Sequence, residues 1–385
     1  MLFLVKKQFS RRALACLLIA LSSSTHAVEF HVDGFGSAVV GRAVHQAQST
    51  GGVDSTYLAN TPDGFYDDDW DITPDSIVGL QVLAQFNDTF SVTAQTTAQG
   101  QDDFDLALEW AYLTYHITPN TRVLAGRQRL PLFYFSDFLD VGYAYHFVRP
   151  PQEVYDLPFD DFEGLQLEHT FNIEDWDGRF QLYAGNTEDT LTKPVNTAEL
   201  NDIVGGVFSI GNDWLRVRAS YLQGDLSSKF ISRGGITQNN SNAIATLFLG
   251  FALDATLDDI LLLTEVTRIE FGDPFGPDQG LGGTQITGWY ISAGYQLNKL
   301  TPYIVYAENT LQLDQENIAF TQLGLNNQDL ASTAWTIGLR WDFMQQIALK
   351  TEYIQRHDHS SGAFQRIFGK GREVDIFTLG FHAIF

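Results

Sequence analysis

Segments of about ten residues in which apolar and polar positions alternate recur along the whole chain, and a period of two marks a β-strand with one apolar side. They fall near 28–42, 76–86, 90–100, 105–117, 121–130, 162–171, 179–187 and 200–210 in the first half. In the second half they fall near 214–223, 243–254, 260–271, 284–297, 301–311, 331–343, 347–357 and 374–385. Near 331–343, Trp335, Ile337, Leu339, Trp341 and Phe343 share one face, and Thr336, Gly338, Arg340 and Asp342 share the other. The next segment sets Ile347, Leu349, Thr351 and Tyr353 against Lys350, Glu352 and Arg356, and the ninth sets Leu215, Val217, Ala219 and Tyr221 against Arg216, Arg218 and Ser220. Charges held to one parity are expected when the other parity meets hydrocarbon, where an Arg or Lys costs about 2–4 kcal/mol at mid-depth. Alternation does not assign Glu109, Glu265 or Arg268 to a face. Trp110, Tyr112, Tyr115, Trp289, Tyr295 and Trp341, near strand ends, are placed in aromatic girdles.

These segments number sixteen, an even count, as single-chain bacterial barrels require. Short turns such as Asn87-Asp88-Thr89, Gly211-Asn212-Asp213 and Met344-Gln345-Gln346 join them on one rim. Connections on the other rim are mostly long: 43–75, 131–161, 188–199, 224–242, 272–283, 312–330 and 358–373, with 101–104 the short exception. That asymmetry is the one outer-membrane barrels show, and it puts both chain ends on the short-turn, periplasmic side. The expected fold class is all-β: a transmembrane antiparallel β-barrel of sixteen strands.

The first 27 residues change the picture of where the chain goes. Lys6, Lys7, Arg11 and Arg12 precede the apolar Ala13–Leu21, and Thr25-His26-Ala27 supplies small residues for cleavage. Residues 1–27 therefore read as a secretory signal and 28–385 as one exported domain. The single cysteine, Cys16, falls inside the leader, so no disulfide is expected in the mature chain. Beyond it no run approaches 18 apolar residues, which leaves a closed barrel as the way to cross a membrane. With 23 basic against 47 acidic residues the net charge is −24, which excludes a nucleic-acid binder held by phosphate contacts.

The connection 131–161 is too apolar for a solvated loop: it holds Phe133, Tyr134, Phe135, Phe138, Tyr143, Tyr145, Phe147 and Tyr155. A connection of this length without strand pairing is usually functional. Strand count, loop order and the terminal Phe385 resemble the sixteen-stranded general porins of Gram-negative outer membranes. The resemblance implies that this third extracellular loop folds into the lumen and sets its narrowest point. It also implies a homotrimer, insertion machinery that reads Phe385, and lipid and lipopolysaccharide as surroundings. In that arrangement the loop residues Asp137, Asp140, Glu153, Tyr143 and Tyr145 face a wall strip of Arg127, Arg129, Arg216, Arg218, Arg340 and Lys350, with Arg42 a further candidate. Two roles stay open for the basic residues: a transverse field that sorts solutes by charge, or anchors that satisfy the loop.

Other clusters add little. Residues 43–75 hold seven acids and no Lys or Arg, and Asp67, Asp68, Asp69 and Asp71 form a weak candidate for a divalent cation. His357 and His359 lack a visible third ligand. Gly34 and Gly36 lack the third glycine of a nucleotide loop, because position 39 is Val. No Gly-x-Ser-x-Gly or His-Glu-x-x-His occurs. The sequence therefore reads as a porin that needs no cofactor, does no covalent chemistry and passes small hydrophilic solutes. The rivals are a substrate-selective channel for a sugar or small anion, with Tyr134, Tyr143 and Tyr145 as a sliding surface, an outer-membrane enzyme, and a soluble secreted β-protein.

Overall fold

The computed structural model describes residues 28–46, 66–155, 157, 159–192, 196–231, 237–239, 243–272, 284–312, 330–360 and 373–385. The leader 1–27, with Cys16, lies outside the described residues, as does most of several long loops. Strands β1 (Glu29–Gln46), β2 (Ile77–Gln85), β3 (Phe90–Gln99), β4 (Leu106–Thr118) and β5 (Thr121–Arg129) precede the aromatic connection. After it come β6 (Asp161–Ile173), β7 (Trp176–Thr192), β8 (Asn196–Gly211), β9 (Leu215–Ile231) and a three-residue β10 (Thr237–Asn239). The chain finishes with β11 (Ile244–Leu257), β12 (Ile260–Phe271), β13 (Thr284–Tyr295), β14 (Leu300–Gln312), β15 (Leu330–Met344), β16 (Ile347–Ser360) and β17 (Glu373–Ile384).

The strand β10 only extends the outer end of β9; the other sixteen form the wall. Each pairs antiparallel with its sequence neighbour, β9 pairs directly with β11, and β17 returns to β1. The seam runs from Phe35 opposite Ile384 to Gln46 opposite Val374, and the backbones of Gly34 and Phe385 exchange hydrogen bonds of 2.7 and 2.9 Å at its end. The sheet is a closed barrel with no free edge, the form in which strands satisfy their backbone groups in lipid.

Turn chemistry fixes the short rim. Asn87 Oδ1 accepts from the amides of Thr89 and Phe90, and Asn212 Oδ1 accepts from those of Trp214 and Leu215. Such side chains imitate a backbone turn. Strand ends agree with the alternation to within a few residues, except that β7 and β9 run on to Thr192 and Ile231. On β9 the outward positions there, Gln223, Asp225 and Ser227, are polar, so the outer apolar face that marks a wall strand is missing.

On β15 and β16 the two faces are as alternation assigns them. Trp335, Ile337, Leu339 and Trp341 are exposed on β15, while Lys350, Glu352 and Arg356 are buried on β16. Strand β4 shows why its parity was hidden. Gln95 pairs with Trp110 and Thr96 with Leu108, which leaves Glu109 unpaired as a β-bulge. A bulge inserts one residue and switches the side-chain phase. Leu106 and Leu108 face outward before it, and Tyr115 and Ile117 face outward after it. Trp110 is thereby buried and Tyr112 shares its inward parity, so these two do not belong to the aromatic girdles, whereas Tyr115, Tyr295 and Trp341 are exposed. On β12 the inward residues Leu263 and Ile269 are themselves apolar, so neither face stands out; Glu265 lies inward, and Arg268 outward beside Glu270 at 2.5 Å.

Candidate functional site

The connection from Leu130 to Asp160 contains two 3₁₀ turns, Ser136–Phe138 and Gly142–Ala144, and one helical turn, Gln152–Tyr155. Its aromatic residues form the main apolar cluster together with buried wall residues Phe162, Tyr183, Leu222, Phe248, Tyr290 and Tyr303. Phe133 packs edge-on to Phe248 with ring centroids 5.5 Å apart, and Phe147 likewise meets Tyr290 at 6.1 Å and Tyr303 at 5.8 Å. These partners stand on β11, β13 and β14, on the face opposite the exposed hydrophobics. Two glycines permit the approach. A Cβ on Gly142 would lie 2.6 Å from Ser37 Oγ and 2.4 Å from His382 Nδ1, and one on Gly288 would lie 2.2 Å from the Glu153 carbonyl oxygen.

Polar contacts fix the loop's position. Arg218 donates to the Pro131 carbonyl at 2.8 Å and Ser220 to that of Leu132 at 2.6 Å. Arg340 donates to the carbonyls of Tyr143 and Tyr145 at 2.8 and 2.7 Å, and its guanidinium lies 4.8 Å from the Tyr143 ring centre. Lys350, 1% exposed, donates to the carbonyls of Gly142 and Phe147 and sits over the Tyr145 ring at 4.7 Å. In the reverse sense, Glu265 accepts from the Tyr134 amide at 2.7 Å and the Tyr155 hydroxyl at 2.5 Å. Glu352 accepts from the Val148 amide at 2.9 Å and the Tyr303 hydroxyl at 2.6 Å. Each wall charge thus meets a main-chain group that a loop without regular structure would otherwise leave unpaired.

The acidic loop residues take other partners. Asp140 pairs with Arg129, whose guanidinium stands 5.3 Å over the Trp110 ring. Asp137 accepts from Arg179 at 2.8 Å, and Glu153 lies 3.2 Å from Arg356. Burial works against the charge on Asp137, yet Arg179, Arg218 and Arg122 outweigh it and hold the carboxyl below its usual range. Burial prevails at Asp140, where Arg129 offsets only part of it and the pKa is raised. His146 donates to or accepts from Ser292 Oγ at 2.9 Å; burial, with Lys350 and Arg340 nearby, pushes its pKa down to about 3.

Set against the sequence, the arrangement separates what alternation grouped. Arg127 and Arg129 do not act as a pair on one inward strip. Arg127 stands opposite Ala111 on β4 and exposed Glu163 on β6, which is the outward parity, and pairs with Asp161 at 2.5 Å. Arg129, at the strand end, is buried with Asp140. Arg42 also takes the outward parity, opposite Phe377 and 5.6 Å from the Trp70 ring centre. Arg216 is exposed and stands across the ladder from Asp254. Arg218, Arg340 and Lys350 do face the loop, but they bind its carbonyls rather than oppose its acids across a gap. Tyr145 is buried with its hydroxyl on the Leu139 carbonyl at 2.9 Å and offers no free stacking face, while half-buried Tyr134 donates to Asp254 at 2.5 Å.

Sequence reasoning missed Arg179 and left Glu265 without a face. Inward parity on β7, shared by Arg179, Gln181 and Tyr183, was the available signal for the first. Asp67, Asp68 and Asp69 form an exposed cluster with ligand atoms within 4.8 Å of one another; Asp71 stands apart, accepting from the Thr73 amide and hydroxyl at 2.8 Å. His357 pairs with Glu373 at 2.9 Å.

The described strands form one closed wall of sixteen antiparallel members, with the third connection anchored on its polar face. No family model and no curated protein matches the sequence. Solved structures do match. DcaP, an outer membrane channel of Acinetobacter baumannii, superposes with a TM-score of 0.61 at 13% identity, covering 94% of this chain and 99% of that one. OmpF of Salmonella typhi gives 0.57 at 12% identity, covering 93% and 98%. OmpT, an outer membrane protein of Vibrio cholerae recorded in a trimer form, gives 0.56 at 13% identity, covering 94% and 100%. At such identities the likeness is one of fold.

Proposed function

We propose that the protein is an outer-membrane porin, a water-filled channel through which small hydrophilic solutes and ions diffuse, narrowed by the loop 131–161 lying across its lumen. The observation that carries this reading is the clamp: wall residues on β9, β12, β15 and β16 hold the loop on the polar face of a closed barrel. A segment bound to strands so far apart around the ring narrows whatever passes inside. The constriction is then bordered on one side by Asp137, Arg179 and Arg218, and elsewhere by Tyr143 and Arg340. Anchoring is the main task of Arg218, Arg340 and Lys350 in this reading, and the transverse field falls to the partly exposed Arg122, Arg179 and Arg216.

A homotrimer is part of the proposal, supported by the trimer form of OmpT; cross-linking in detergent tests it. The proposed site is the outer membrane, reached after removal of residues 1–27, with Phe385 as the mark read by the insertion machinery. Planar-bilayer recording of the purified protein decides the channel reading. Stepwise conductance of constant size is expected, and a preparation that folds as a heat-modifiable barrel yet passes no current would refute it. Selectivity for small anions is a second reading, favoured by the three inward arginines that keep contact with water.

A further inference from the structure

The ion pairs that join Asp137, Asp140 and Glu153 of the loop to arginines differ in their access to water. Arg129 with Asp140 is 9% and 10% exposed, and Arg356 with Glu153 is 10% and 3% exposed. Arg179 with Asp137 is 33% and 37% exposed. The first two are sealed parts of the anchorage. The third faces solvent and, like other wet ion pairs, is held weakly.

Arg179 is also not alone. Across the ladder it stands opposite Ser209 on β8, and Ser209 stands opposite Arg218 on β9. Arg218 is 4% exposed; one Nη serves Pro131, while its buried Nε–H has no hydrogen-bond partner among the described residues. On the other side Arg122, 41% exposed, pairs with Glu168 at 2.7 Å, and Glu168 also accepts from Gln181 at 3.2 Å. Asp137 lies within electrostatic reach of all three guanidinium groups. These residues belong to the short-turn halves of β5, β7 and β9, below the loop. One guanidinium in contact with a water-exposed carboxylate, and two more within electrostatic reach of it, make the chemistry of a carboxylate receptor, since a guanidinium fork fits two carboxylate oxygens.

We propose that Arg122, Arg179 and Arg218 form a binding site for small carboxylates, that Asp137 occupies it from within the chain, and that permeating carboxylates exchange with Asp137 there. The exchange conserves charge: one carboxylate leaves the arginines as another arrives, and Asp137 turns to water on its exposed side. This inference rests on the channel reading and goes beyond it by naming the solute class and the group that competes with it. Acids and amides of one size then part company at this point of the lumen.

The test uses the full mature barrel in planar bilayers in KCl, with succinate or neutral succinamide added on one side. Wild-type current should fall with rising succinate and stay unchanged with succinamide. Asp137→Asn should lower the half-blocking succinate concentration by about fivefold, the upper range for a water-exposed ion pair. Arg179→Gln should raise it at least as much. Should Asp137→Asn fail to assemble, the succinamide comparison and Arg179→Gln still decide. Steady conductance with equal effects of acid and amide, or a block that neither variant moves, would overturn the site and leave the channel intact. Absence of any current would instead remove the channel reading, and this inference with it.

Discussion

Replacing Lys350 by Met tests whether the loop is held by wall charges or merely rests on its aromatic contacts. Lys350 is almost fully buried and gives two of its three donors to the carbonyls of Gly142 and Phe147. Two opposing effects follow from the substitution. Removing a buried ammonium relieves its desolvation, and apolar replacements of buried charges are often neutral. Here, however, two loop carbonyls stay buried and lose their donor, at about 1–3 kcal/mol each. Glu352 on the same face also loses its nearest cation. The second effect should win, weakening the docked loop by about 2–4 kcal/mol, which is about 30- to 10³-fold in the local opening equilibrium. Chymotrypsin cleavage after Phe147, mapped by mass spectrometry, reads that equilibrium, because Phe147 is 1% exposed and becomes accessible when the loop lifts. Cleavage rates follow the open population when reclosing is fast. The wall ladder does not involve this side chain, so heat-modifiable migration should be unchanged. Cleavage within threefold of wild type would refute the anchoring argument.

Three further outcomes are expected. His146 titrates near 6.5 when released and at about 3 when docked, so docking is at full strength above pH 6.5 and weakens as pH falls toward 3. By pH 5 the loss is about 2 kcal/mol, visible as rising current noise, and His146→Gln should flatten that dependence. Glu265→Leu removes the acceptor of the Tyr134 amide and the Tyr155 hydroxyl, and chymotryptic cleavage after Phe147 should rise in line with about 2–4 kcal/mol of weakened docking. Ile337→Arg puts a charge on the outward face where Ile337 is 62% exposed; a drop of about 2–4 kcal/mol in unfolding free energy from lipid vesicles is expected, and an unchanged value would mean that face does not meet hydrocarbon.

Strands were legible because one physical demand, apolar outside and polar inside, repeats along every wall segment. Where that demand was suspended, the reading stopped. Glu109 hid a phase change that only pairing with Gln95 and Thr96 exposes. Leu263 and Ile269 made β12 look apolar on both sides, because its inner face is covered by the loop's aromatics rather than by water. The same limit explains the site. Sequence names the charges and sets loop acids against wall basic residues as groups, but the partners of Arg218, Arg340 and Lys350 are main-chain oxygens of Pro131, Gly142, Tyr143, Tyr145 and Phe147. Every residue carries such an oxygen, so residue type alone cannot single these out. Arg127 was misassigned by a simpler route: its neighbour Arg129 sits where the strand ends and the side chain is free to turn.

The order of the polypeptide sets a timetable for this architecture. The aromatic connection leaves the ribosome long before its holders: Lys350 follows Gly142 by 208 positions, Glu352 follows Val148 by 204, and Glu265 follows Tyr134 by 131. Until β16 arrives, that greasy stretch has no finished seat, and the final hairpin, β16 with β17, both shuts the cylinder and delivers the Lys350 clamp. Maturation of the barrel interior therefore coincides with the last step of assembly, and a precursor stalled short of it is one that chaperones would have reason to hold.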